Sequence, residues 1–88
     1  MRITSFEWTE NDINHIARHA VTPEEAEEVC FQGSPIILKA KYGRYIALGQ
    51  AGGGRYLAVI FKYTGHQKAK VITARAMSET ERRFYKRR

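Results

Sequence analysis

The sequence predicts one α+β domain over residues 1–88, a small antiparallel β-sheet with two N-terminal helices and one C-terminal helix. Three observations predict this. Eighty-eight residues leave no room for a second hydrophobic core. Apolar residues first recur at helical spacing, then switch to short β-favouring segments separated by turn residues. Two capping boxes, Thr22-Pro23-Glu24-Glu25 and Ser78-Glu79-Thr80-Glu81, mark helix starts on either side of those segments.

Residues 2–8 alternate, with Ile3, Phe6 and Trp8 as bulky β-formers, and read as a first strand. Thr9 or Asn11 can cap a short helix through His19, with Ile13, Ile16, Ala17 and Ala20 as its apolar stripe. A second helix opens at Thr22, with Pro23 at its first position and acidic residues at the positive end of its dipole. Ala26, Val29, Cys30 and Phe31 supply its buried side, and Gly33 and Pro35 end it. Residues 36–38, 45–49, 55–63 and 70–75 then read as four short strands, the first of them a strand or an extended arm. Residues 41–43, 51–54 and 64–67 are the turns of an antiparallel meander. The expected order is β-α-α-β-β-β-β-α, with the helices against one face of the sheet.

The formal net charge of +6 is uneven: residues 1–44 sum to −2 and residues 45–88 to +8. Such asymmetry points to a polyanion-facing surface, against the plainer reading that Lys and Arg decorate exposed strand faces. The longest apolar run, residues 56–61, is far shorter than the ~20 residues a helix needs to cross a bilayer. Cys30 is the single cysteine and cannot form an internal disulfide. With no signal-peptide pattern at the N-terminus, the expectation is a cytoplasmic protein without membrane contact.

His15 and His19 stand four apart and share one helix face, but a zinc site needs at least a third ligand, and no HExxH glutamate is present. No metal or cofactor is expected. His19, at a helix end beside Arg18, suits acid–base work. Arg75 closes the last strand immediately before a helix cap. It can bind phosphate together with free backbone N–H groups, or pair with Glu79 or Glu81. Arg82 and Arg83 follow Glu79 at helical spacing, so surface ion pairing competes with phosphate contact there. Lys86, Arg87 and Arg88 read as a basic end suited to attraction rather than to precise contact. Trp8 and Tyr85 can stack on bases, although core packing is the expectation for Trp8 and Phe84. Glu7 is a general base or a salt-bridge partner. Gly52-Gly53-Gly54 is a hairpin turn without the context of a phosphate-binding loop.

Phe6-Glu7-Trp8, Arg18-His19 and the run Val21-Thr22-Pro23-Glu24-Glu25-Ala26-Glu27-Glu28-Val29 resemble the N-terminal half of BrnT-family toxins. Arg44-Tyr45-Ile46-Ala47-Leu48-Gly49 is similar to their central strand motif. Ile72-Thr73-Ala74-Arg75 with Ser78 and Glu81-Arg82-Arg83-Phe84-Tyr85 resembles their closing signature. Ala20 replaces the family's usual Gly, Thr73 its Ser, and Lys70 stands where Arg is common, which marks a divergent branch.

The resemblance implies a RelE-like ribonuclease toxin of a bacterial type II toxin–antitoxin module. RNA would be its substrate and a DNA-binding antitoxin, ribbon-helix-helix or similar, its partner. By position it implies catalytic roles for Glu7, His19, Arg44, Arg75 and Tyr85, and RNA contacts for Arg18, Lys70, Arg82 and Arg83. Such an enzyme uses the RNA 2′-hydroxyl as nucleophile and needs a base, an acid and cations at phosphorus, but no metal. Glu7 or His19 would be base or acid, and Arg75 and Arg44 the phosphate clamps. Tyr85 would stack or donate a proton. Two other readings stay open: a non-catalytic nucleic-acid-binding module, and an interaction subunit whose basic face meets an acidic partner.

Overall fold

The computed structural model describes residues 2–87, so the expectation for Arg88 lies outside the described residues. Strand β1 (Ser5–Glu7) is followed by α1 (Glu10–Ala17) and by α2 (Pro23–Glu27), which continues into a π-helical turn (Glu28–Gln32). Strand β2 (Ile36–Lys39), a 3₁₀ turn (Lys41–Gly43), β3 (Arg44–Gln50), β4 (Tyr56–Gly65), β5 (Lys68–Ala76) and α3 (Glu79–Lys86) complete the chain. The order is the one expected, and the segment after Pro35 is a true strand. The sheet runs β1-β5-β4-β3-β2. Strands β2 to β5 form the antiparallel meander, whereas β1 joins β5 in parallel. The sheet is therefore mixed at one edge. No hairpin links β1 to β5, so connectivity does not force them antiparallel.

All three helices start on reciprocal capping boxes: Thr9 with Asp12, Thr22 with Glu25, and Ser78 with Glu81. Thr9, not Asn11, is therefore the first cap. Helix α1 stops at Ala17, and His19 lies in the turn beyond it, where Ala20 takes a left-handed φ of 58°. Of the expected apolar stripe only Ile16 is buried; Ile13 is 37% exposed, and Ala17 and Ala20 lie at the surface. An eight-residue helix packed along β5 has one narrow row to bury. Past α2 the π-helical turn changes the angular spacing of side chains. Val29 thereby reaches the core, while Cys30 is half-buried and Phe31 is 38% exposed.

The helices do not share one face. Leu57, Val59 and Phe61 of β4 join Ile16, Val21, Ala26 and Val29 in a core beneath α1 and α2. Ala58, between them, joins Leu48 and Tyr85 in a second cluster beneath α3. The physical reason lies in β4, whose run of apolar residues has no polar face to offer water and needs cover on both sides. Two irregularities bend the β4–β5 pairing, between Ile60 and Phe61 and between Tyr63 and Gly65. The tight β4–β5 turn carries His66 and Gln67 at positive φ (54° and 64°), as a mirror-image hairpin turn requires.

Candidate nucleic-acid interface

The α3 face of the sheet is built outward from Arg75. Its cross-strand neighbour Ala58 belongs to the second cluster, so its side chain rises on the α3 side. There it meets Glu81 end-on, Nη1 to Oε1 at 2.7 Å and Nη2 to Oε2 at 3.0 Å. The same carboxylate accepts the Ser78 backbone N–H at 2.8 Å, so one glutamate closes the helix cap and holds the strand-end arginine. Hydrogen bonding to Arg75 outweighs desolvation and keeps the Glu81 carboxyl below its ordinary range; the same bond raises Arg75. Of the two sequence readings of Arg75, the ion pair is present. It does not use up the guanidinium. Nη1 also donates to the Ala76 carbonyl at 3.3 Å, which leaves Nε–H and one Nη2–H of five donors unspent.

One helical turn on, Arg82 stacks on the Tyr56 ring, with its Cζ 4.5 Å from the centroid, and Lys86 approaches the same ring at 5.1 Å. Tyr85 meets Tyr56 edge-on at 6.1 Å and is only 5% exposed, so its ring is a buried anchor for α3. Phe84, expected in the core, is instead 44% exposed, because the helix turns Tyr85 inward in its place. Arg83 is exposed and makes no ion pair with Glu79; Arg82 spends its charge on Tyr56. Gly54, Arg55, Tyr56, Ala76, Met77 and Arg82 line an open cleft of about 290 Å³ at this end of the sheet. Sequence reading missed Tyr56 and Arg55. The available signal was an Arg-Tyr pair opening a strand, facing a helix with cations at positions 82 and 86.

Arg55 also ties down the α1–α2 turn. It donates to the Ala20 carbonyl at 2.6 Å and pairs with Glu25 at 3.0 Å. The turn holding Arg18 and His19 is thereby tied to the start of β4 on the α1–α2 side of the sheet, whereas Arg75 rises on the other, and neither side chain bonds to another described residue apart from the His15–His19 ring contact at 6.0 Å. Among the described residues no three His, Cys, Asp or Glu side chains are grouped as a metal site requires.

The remaining candidates lie elsewhere. Arg44 pairs across the strands with Lys62, Lys62 with Lys70, and Lys70 with Glu7, a single row at the opposite end of the sheet. Along β3, Arg44 is four residues from Leu48, the position level with Ala58 and Arg75, or about 13 Å. Glu7 accepts from the Thr64 hydroxyl at 3.0 Å, and Lys70 pairs with the buried Asp12 of α1 at 3.2 Å. Desolvation pushes Asp12 up, but its bonds to Thr9 and Lys70 together hold the carboxyl below its ordinary value. The structure thus brings Arg75, Arg82 and Tyr85 together and sets Glu7, Arg44 and Lys70 apart as a second group. On the other side of the sheet, Trp8 donates to Glu27 at 2.9 Å, which makes it a packing residue. Burial pushes the Cys30 thiol up to about 12, as a structural cysteine requires.

A five-stranded sheet between helices, with an arginine-bearing face under the C-terminal helix, defines a class of small basic α+β domains. The family model for "Ribonuclease toxin, BrnT, of type II toxin-antitoxin system" matches residues 8–81, and the chain belongs to that family. The 1.1 Å crystal structure of the Brucella abortus ribonuclease toxin BrnT is similar, with a TM-score of 0.69 and 28% identity over 85% of this chain and 97% of that one. No curated protein matches the chain.

Proposed function

We propose that the chain is a metal-independent RNA endonuclease of the toxin type, acting in the cytoplasm and neutralised by a small DNA-binding antitoxin. The observation that carries this reading is the half-used guanidinium of Arg75. Glu81 fixes its plane, and the unspent Nε/Nη2 edge has the fork geometry that phosphate accepts. Held in that way, an arginine needs little reorganisation to stabilise charge developing at phosphorus. Arg82 in the adjoining cleft adds positive charge, while Arg55 is spent on Glu25, and Arg83 and Arg18 supply looser attraction.

In this reading the RNA 2′-hydroxyl attacks the neighbouring phosphorus, its proton passes to a base, and the 5′-oxygen leaves after taking a proton from an acid. The products are a 2′,3′-cyclic phosphate and a 5′-hydroxyl. His19 and Glu7 are the two proton-carrier candidates: the His19 turn is tied through Arg55 to the α1–α2 side of the sheet, and Glu7 is engaged by Thr64 at its far end. Tyr85 is assigned to hold α3 in place rather than to donate a proton, on account of its burial.

A second reading, a nucleic-acid-binding module without catalysis, is favoured by one observation: Arg75 and Tyr85 are both engaged in structural contacts. Incubating the protein with RNA in the presence of a chelator and identifying product ends by mass spectrometry separates the two. Cyclic phosphate ends that disappear in folded Arg75→Ala and His19→Ala variants support the endonuclease. Intact RNA bound with a steep salt dependence supports the module. A short neighbouring reading frame whose product binds the protein and abolishes cleavage would establish the antitoxin.

A further inference from the structure

The α3 face has a lower half that the proposed chemistry does not use. Helix α3 covers the level of Leu48 and Ala58. Beyond it lie the partly buried Ile46, Ile60 and Thr73 in one cross-strand row, and then the exposed Arg44, Lys62 and Lys70 in the next. Tyr45, Phe61 and Val71, the neighbours of the second row, point into the core beneath α1 and α2, so Arg44 and Lys62 rise on the α3 side, while the Lys70 ammonium reaches round to Asp12 of α1.

Like charges directly opposite each other weaken a sheet. Here Arg44 faces Lys62 and Lys62 faces Lys70. Only Lys70 is relieved, by Asp12, and neither Arg44 nor Lys62 has an ion pair among the described residues. Just before Arg44, Tyr42 (φ 63°) and Gly43 (φ 71°) are the two left-handed central residues of the β2–β3 hairpin turn, closed by the Arg44 N–H donating to the Lys41 carbonyl. The turn holds the Tyr42 ring at the tip of the hairpin, 84% exposed. Unrelieved repulsion and a solvent-facing aromatic adjoin each other at the start of β3, and both make sense if an external chain carries phosphates and flat bases across this end of the sheet.

We infer that Tyr42, Arg44 and Lys62 form a second binding track for single-stranded RNA, in which Arg44 and Lys62 contact phosphates and Tyr42 stacks on a base. The inference rests on the endonuclease reading, since the track serves the same strand that Arg75 meets. Lys70, spent on Asp12, contributes field rather than contact. With about 13 Å between the two levels, the track holds nucleotides a few positions along the same strand from the one at Arg75.

The test uses a 2′-O-methyl RNA of about twelve nucleotides, which lacks the nucleophile, and a dinucleotide of the same chemistry. For the longer RNA, Arg44→Gln/Lys62→Gln lowers the slope of log affinity against log salt by about 1.4. Going from 1 M to 0.1 M salt then gains about 25-fold less affinity than in the parent. Tyr42→Gly weakens binding about 5-fold or more. Dinucleotide affinity is unchanged in both variants. The double variant unfolds roughly 1–5 °C higher than the parent, because the repulsion is gone. Lys39→Gln, which removes one charge on the opposite face beside Tyr45, leaves the slope unaltered.

If the parent binds and cuts RNA but the track variants keep its slope, or Lys39→Gln lowers the slope as much per charge, the track is refuted and the endonuclease reading stands. If the parent neither binds nor cuts RNA, both fall. Loss of binding to an acidic protein in these variants, with RNA binding intact, also overturns the track.

Discussion

The two faces of the sheet are made from the same strands, yet one is packed more fully than the other. Beneath α1 and α2 the side chains interlock: Ile16, Leu57, Val59, Ala69 and Val71 are fully buried, and Trp8 and Asp12 find partners for their polar atoms. Beneath α3 only Leu48, Ala58 and Tyr85 are buried. The rest is a partly buried apolar shelf flanked by cations, some paired and some not. One face spends its residues on stability. The other keeps unpaired charge that stability alone would remove, which is where a working surface is expected.

The largest expected effect falls on the more fully packed face. Leu57→Ala should cost about 2–5 kcal/mol in denaturant unfolding, a large share of what a domain of this size has. Ile60→Ala, one strand face over and partly exposed, should cost about 1–2 kcal/mol and leave a folded protein. Equal losses would mean that the two faces are equally packed and would break the comparison.

Arg75→Ala sharpens it from the other side. Removing a preorganised cation should cut RNA cleavage about 100-fold or more. Its half-exposed pair with Glu81 should cost at most about 1 kcal/mol of stability. A variant that unfolds while the residual folded fraction cleaves normally would make Arg75 structural only.

Next in size is the acid limb of stability. The folded-state carboxyl of Glu81 lies below its unfolded value, so its stabilisation is fully present above about pH 4.5 and is lost as pH falls through the depressed value. Glu81→Gln should therefore lower stability at pH 7 and flatten the fall at acid pH, as seen in thermal unfolding at a series of pH values. An unchanged acid slope would assign that limb to other groups, Asp12 first among them.

The smallest effect concerns Cys30. With its thiol pushed up to about 12, half-buried Cys30 should react with a thiol reagent at pH 8 much more slowly in the native protein than after denaturant unfolds it. Rapid labelling of the native protein would mean that the chain opens locally there.

Local signals read well from the sequence, because caps and turns are written in neighbouring residues. The Thr22 and Ser78 capping boxes, Pro23 at the helix start and the meander turns are all present. What one residue does across the sheet was not readable. The separation of Glu7 and Arg44 from Arg75 depends on strand register, and so does the alignment of Arg44 with Lys62. The placement of α3 on its own face was readable in principle. A continuous apolar run from Tyr56 to Phe61 is the pattern of a strand covered on both sides.

The most direct measurement is to add the uncleavable RNA to isotope-labelled protein and map which amide and side-chain resonances move. The account predicts shifts at Tyr42, Arg44, Lys62, Thr73, Arg75 and Arg82, with Phe31, Ile37 and Cys30 on the other face unmoved. Shifts centred on Phe31 and Ile37, or none at a concentration where cleavable RNA is cut, would contradict it.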